Sequence, residues 1–176
     1  MRRIVQKAAG PGLAVSVALF LPAPAGPEPT GPGSSVVRLT DPAVAGAVQR
    51  AVKGASQRLG RSDCQRIFSE FRDRQGRPLQ ERLDIEGVSG PSFFGRVLFY
   101  DGSDHPRCRT KQVYAIARPG SRVVLICSEK FRETAIRRPR LAQAILIHEA
   151  LHLLGLGEDP PSSAEITFRV TAHCGL

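Results

Sequence analysis

Two histidines and a glutamate stand close together at His148, Glu149 and His152, inside the apolar run ILIHEALHLL. At 100° per residue of helix, His148 and His152 project from one face a single turn apart, so both imidazoles reach one metal ion without breaking the backbone. Glu149 lies one residue round, beside that ion. A carboxylate there takes a proton from water on the metal and hands it to a leaving group, so the spacing reads as a Zn2+ site with its own general base. Around it, Leu141, Ala144, Ile145, Ile147, Leu151 and Leu154 make a pattern broad enough for a helix buried on most of its circumference. Ionisable groups buried unpaired cost several kcal/mol, and a shared metal is the common way to satisfy them. The blander alternative is a half-exposed helix whose two His and one Glu face solvent or pair with Arg.

A catalytic zinc keeps three protein ligands and one open position, and two carboxylates compete for the third place. The stretch HEALHLLGLGE, residues 148–158, resembles the metzincin pattern H-E-x-x-H-x-x-G-x-x-H, in particular its matrix-metalloproteinase version. Gly155 matches the glycine at which the metzincin helix ends, and Glu158 falls where the third histidine would be. The resemblance implies a zincin-type metallopeptidase with zinc on His148, His152 and Glu158 and with Glu149 as the base. One departure is the methionine turn that metzincins carry below the zinc. The only Met here is Met1, and Ile166 stands at about that position. The other candidate ligand is Glu165. Ser162 or Ser163 can cap a helix running to about His173, with Glu165 in its first turn, an arrangement similar to the gluzincins, whose third ligand is a Glu on a downstream helix. Spacing favours Glu158 and leaves Glu165 to accept a hydrogen bond from a ligand histidine. Without a metal, Glu158 would be a solvated residue of a Pro-rich turn and Glu165 a helix-terminus charge.

The elements that position these residues begin after the N-terminus. A basic start (Arg2, Arg3, Lys7), an apolar stretch at 13–21 and the small-residue site Ala23-Pro24-Ala25 read as a secretory signal peptide over residues 1–25. An uncleaved anchor is the alternative reading. Residues 26–35 are a Pro/Gly-rich linker, residues 36–176 one domain, and no later segment is apolar and long enough to span a bilayer. Four Cys in an exported chain suggest two disulfides. The expected pairs are Cys64 with Cys108 and Cys127 with Cys174.

Asp41-Pro42 starts a helix that runs to Gly60 and backs the sheet. Residues 64–83 are ambiguous, with Ile67, Phe68 and Phe71 suiting either a strand or a short helix. Residues 96–100 read as a strand, and 112–117 with 122–127 as a hairpin turned at Arg118-Pro119-Gly120-Ser121. Helix returns at 129–136, in the metal-binding helix, and after Ser162. The expected fold is therefore α+β, a zincin-like single domain with a small mixed sheet, a backing helix, the H-E-x-x-H helix and a C-terminal helix. In the zincins that it resembles, an edge strand above the cleft pairs with extended substrate, a role open to either hairpin strand.

The formal charge of +9 falls to +6 once Arg2, Arg3 and Lys7 leave with the signal peptide. The clusters around Arg107-Cys108-Arg109 and Arg137-Arg138-Pro139-Arg140 suit acidic substrates or anionic surfaces, or are simply a solvated basic face. With no Trp, 6% aromatic residues and no nucleic-acid motif, nucleic acid is not an expected partner. The leading expectation is a secreted zinc endopeptidase acting on peptide or protein substrates. Alternatives are a secreted binding protein stabilised by zinc closed off by both Glu158 and Glu165, or an amidase acting on a cell-wall amide. For an oxyanion partner the sequence offers Tyr100, Tyr114, His105 and His173, the two His reading better as loop and helix-end residues.

Overall fold

The computed structural model describes residues 35–176, so the signal peptide expected at 1–25 and most of the linker at 26–35 lie outside the described residues. The first element is β1 (Val36–Arg38), followed by α1 (Pro42–Leu59). Asp41 starts α1 as its sequence suggests: its Oδ1 accepts from Ala43 N at 2.7 Å and Val44 N at 3.3 Å, and Pro42 takes the first turn, where no N–H is missed. One face of α1 buries Val44, Ala47, Val48, Ala51, Ala55 and Leu59. It backs β1 and packs along α5 (Ser128–Arg137) and α6 (Pro139–Leu153). The approach to α6 is close enough that a Cβ on Gly54 would lie 2.4 Å from Gln143 Nε2.

The stretch that was ambiguous in sequence folds as helices. In α2 (Ser62–Glu70) the buried residues Cys64, Ile67 and Phe68 recur at helical spacing, and α3 (Leu79–Glu86) buries Leu79 and Leu83. A short irregular hairpin lies between them. Gly76 turns it with φ +80°, and Asp73 N donates to Arg77 O at 2.8 Å. The brief α4 (Gly90–Phe94) then leads into the sheet.

Four strands make that sheet in the order β1-β2-β4-β3, with β2 at Leu98–Asp101, β3 at Ala115–Ala117 and β4 at Val123–Ile126. β1, β2 and β4 run parallel and β3 is antiparallel to β4, pairing Ile116 with Leu125. The fold is thus a small α+β domain around a mixed sheet. Phe99, Val124 and Ile126 of the strands are buried in the same core as α6 residues such as Leu146, Ile147 and Leu151. The hairpin expected around Arg118-Pro119-Gly120-Ser121 is the β3–β4 pair, and it leaves β3 as a sheet edge. The last element, α7 (Ser163–Cys174), is capped by Ser162, whose hydroxyl accepts from Glu165 N, and it ends at Gly175 with φ +64°.

The disulfides differ from the expected pairing. Cys64 bonds Cys174, joining α2 to the end of α7, and Cys108 bonds Cys127, joining a short 3-10 helix (Pro106–Arg109) to the end of β4. The cause is helix packing: α2 lies beside α7, and both Cys64 and Cys174 sit on the buried faces of their helices. Spacing along the chain carries no record of which helices meet. Two bridges and no free thiol suit an oxidising compartment. Among the described residues no helix is long and apolar enough to cross a membrane.

Candidate metal centre

α6 is apolar nearly all round, and from Ala142 to Leu153 only Gln143 is not buried. His148, Glu149 and His152 are buried in that run, at 5%, 9% and 7% exposure. The helix ends at Leu154, and Gly155, with φ +114°, turns the chain back so that Leu156 N reaches Leu151 O at 3.1 Å. That reversal needs a residue without a Cβ. It also brings Glu158 over the two histidines.

His148 Nε2 and His152 Nε2 lie 2.9 Å apart, and Glu158 Oε1 is 3.6 Å from the first and 3.3 Å from the second. Tetrahedral coordination at about 2.0–2.1 Å spaces its ligand atoms by roughly 3.3 Å, so the three separations bracket the value a single ion requires. The ring protons agree. His152 Nδ1 faces the Leu156 carbonyl at 2.8 Å, and a carbonyl only accepts, so Nδ1 carries the proton and Nε2 presents a lone pair. His148 Nδ1 meets Thr167 Oγ1 at 2.9 Å, and donation there leaves its Nε2 as a second lone pair. Two imidazole lone pairs and a carboxylate then converge on one point. Three acceptors repel unless a cation stands between them, so the donor set fits a metal ion and the group can hold one.

Glu165 is not part of this group. It faces Arg169, whose Nη2 donates to its Oε1 at 2.6 Å, and its backbone N–H is taken by the Ser162 cap. The group whose ligand atoms converge is His148, His152 and Glu158, without Glu165. Nor does Glu165 accept from a ligand histidine, a place that Thr167 occupies. Thr167 was missed in the sequence, where its one signal is a polar side chain on α7 next to the buried Ile166. Ile166 itself, at about the place of a metzincin methionine, is fully buried within α7 rather than in a turn.

The turn that carries Glu158 is braced by a segment about 80 residues earlier in the chain. Asp73, in the hairpin after α2, bridges Leu156, and a Cβ on Gly155 would come 3.2 Å from the Asp73 side chain. This support between residues distant in sequence had no signature in composition.

Charge is distributed unevenly. Burial lifts the Glu149 carboxyl to about 7, with His148 pulling the other way and the Ala117 N–H of β3 also favouring the anion. With the imidazoles protonated instead of metal-bound, the hydrogen bond from His148 and the charge of His152 hold Glu158 down at about 2. Burial also lowers His152. The two carboxylates are thus set apart, Glu158 held as an anion by the histidines and Glu149 raised by its burial.

All of this opens into a cleft of about 400 Å³, lined by Ile145, His148 and Glu149 and by the residues of the edge strand β3. Of the side chains considered for an oxyanion partner, Tyr114 lines the cleft. His105 instead caps the 3-10 helix through Nδ1, and His173 pairs with Glu70 at 2.8 Å. Comparison with protein-family models, with curated proteins and with solved structures returned no match.

Proposed function

We propose that this chain is an exported zinc-dependent endopeptidase of zincin type. The observation that carries the reading is the convergence of His148, His152 and Glu158 in an open cleft with the buried Glu149 beside them. His148, His152 and Glu158 would hold the zinc ion, whose Lewis acidity would serve to polarise a carbonyl and acidify water. Glu149 takes the proton from the attacking water and delivers it to the amine nitrogen as the peptide bond breaks. Thr167 and the Leu156 carbonyl hold the imidazoles in the tautomer that keeps Nε2 available. β3 is a sheet edge along the cleft, so an extended peptide can add to it as a further strand, which would lay its backbone across the base. With Glu158 as third ligand, a bound ion would be a weaker electrophile than one held by three neutral histidines.

The test pairs zinc content with hydrolysis of an unstructured protein substrate by wild type and Glu149→Ala. We expect about one zinc per chain in both proteins and a loss of about 10²–10⁴ in turnover for the variant. Wild-type protein that takes up no zinc, or a variant as active as wild type, would sink the proposal.

A further inference from the structure

Three arginines border the cleft: Arg74, Arg107 and Arg118. Each is placed by a different part of the fold. Arg74 lies in the hairpin after α2, its Cγ and Nε 3.6 Å from where a side chain on Gly157 would begin, beside Glu158. Arg107 sits on the 3-10 helix that the Cys108–Cys127 disulfide fastens to β4, and it lines the cleft. Arg118 follows the last residue of β3.

Elsewhere among the described residues seven arginines are matched to acids, as Arg77 is to Asp73, Arg82 and Arg122 to Glu86, and Arg169 to Glu165, while the other lysines and arginines stay unpaired on the open surface. Arg74, Arg107 and Arg118 make no ion pair among the described residues. Asp73, the acid nearest Arg74 in sequence, is already held by Arg77 at 2.8 Å. The acids lining the cleft are Glu149 and Glu158, whose two charges a divalent cation balances. What remains is the charge of three guanidiniums around a concave site, which concentrates anionic ligands.

We propose that the cleft selects peptides carrying Asp or Glu side chains on either side of the scissile bond, and that Arg74, Arg107 and Arg118 determine this specificity. The inference rests on the peptidase reading for its substrate class. A guanidinium presents a planar fork of donors that matches a carboxylate in a way an ammonium does not. All three arginines are exposed, so each contact is modest, about two- to five-fold in affinity. Acting together they yield a preference of about tenfold or more. The preference weakens with salt, because screening acts over about 10 Å at 0.1 M and about 3 Å at 1 M ionic strength.

Two measurements on the zinc-loaded protein separate this inference from the reading beneath it. Peptides blocked at both ends, with Asp and Glu or with Asn and Gln around a common central sequence, are bound to the Glu149→Gln protein and followed by fluorescence anisotropy. The same peptides are offered to wild type for kcat/KM. We expect the acidic series to bind about tenfold more tightly and to be cleaved with a similarly higher kcat/KM. Arg107→Gln and Arg118→Gln should each reduce the acidic-to-neutral ratio, Arg107→Lys should restore part of it, and about 1 M salt should nearly abolish it. Acidic preference in binding without cleavage of any peptide would support the charge selection and overturn the peptidase reading. Equal binding and equal cleavage of the two series by an active enzyme would overturn the inference and leave the peptidase standing.

Discussion

Replacing Thr167 by Val removes one oxygen and changes little else, which makes it a sharp probe of how the metal centre is held. The hydroxyl lies 2.9 Å from His148 Nδ1, on the side of the ring away from Glu158, and touches no proposed ligand atom. Its loss therefore acts only through the ring: Nδ1–H has no fixed acceptor, and the proton can move to Nε2, the atom that has to bind the ion. Partners of this kind typically contribute ten- to a hundred-fold in metal affinity. Thr167 is only half-buried, so water can partly replace it, and the lower end applies: about tenfold, or roughly 1.4 kcal/mol. Leaving a buried donor without a partner also destabilises the metal-free fold by about 1–3 kcal/mol, but that cost is common to both states and cancels from the affinity. Competition against a chromophoric zinc chelator measures the binding, with thermal unfolding in excess chelator as the check on stability. Thr167→Ser keeps the hydroxyl and should stay near wild type. Zinc binding by Thr167→Val within about twofold of wild type would refute the reasoning.

Two further outcomes follow from the same geometry. Glu158→Ala removes a ligand atom and should weaken zinc binding more than Thr167→Val does, whereas Glu165→Ala should leave it within about twofold and cost only an exposed i,i+4 ion pair worth about 0.3–0.5 kcal/mol; the same chelator competition reads both. Asp101 accepts from Ser103 N and Oγ and from Ser128 Oγ, which holds its carboxyl below 3.8. A depressed carboxyl contributes stability that is present above its unfolded value and lost as pH falls through the folded one. Urea midpoints should therefore drop below about pH 4, and less steeply in Asp101→Asn, whose side chain still accepts but does not titrate.

Much of the site was legible because its information is local. Both histidines, Glu149 and the glycine turn at Gly155 lie within eight residues of one another, and their spacing alone orients them once α6 forms. The same holds for Asp41-Pro42 at the start of α1 and for the β3–β4 turn, where a cap and a Pro-Gly pair act on adjacent residues. What could not be read depends on chain segments meeting. β1 has three residues and exists because β2, some 60 positions on, offers it a parallel edge. α2 has one apolar face of three residues, too short for period to separate helix from strand until its neighbours bury it. Thr167 and the brace from Asp73 reach the histidines and Leu156 across the fold, from α7 and from the hairpin after α2.

Those two distant supports share a single covalent tie. Cys64 in α2 is bonded to Cys174 at the end of α7. α2 runs directly into the hairpin whose Asp73 bridges Leu156, the residue whose carbonyl orients His152. α7 carries Thr167, which orients His148. One disulfide thus holds together the segments that fix both imidazoles. The second disulfide, Cys108–Cys127, fastens the 3-10 helix to β4 and touches neither support. Loop length ranks them in stability as well: closing 110 residues removes about 5 kcal/mol of unfolded-chain freedom, and closing 19 about 3 kcal/mol. The double variant Cys64→Ser/Cys174→Ser should therefore be less stable than Cys108→Ser/Cys127→Ser. At a temperature where both remain folded, it alone should lose zinc affinity. If the shorter bridge proved the one that zinc binding depends on, the histidines would be held by the sheet side of the cleft. The supports assigned to Thr167 and Leu156 would then be wrong.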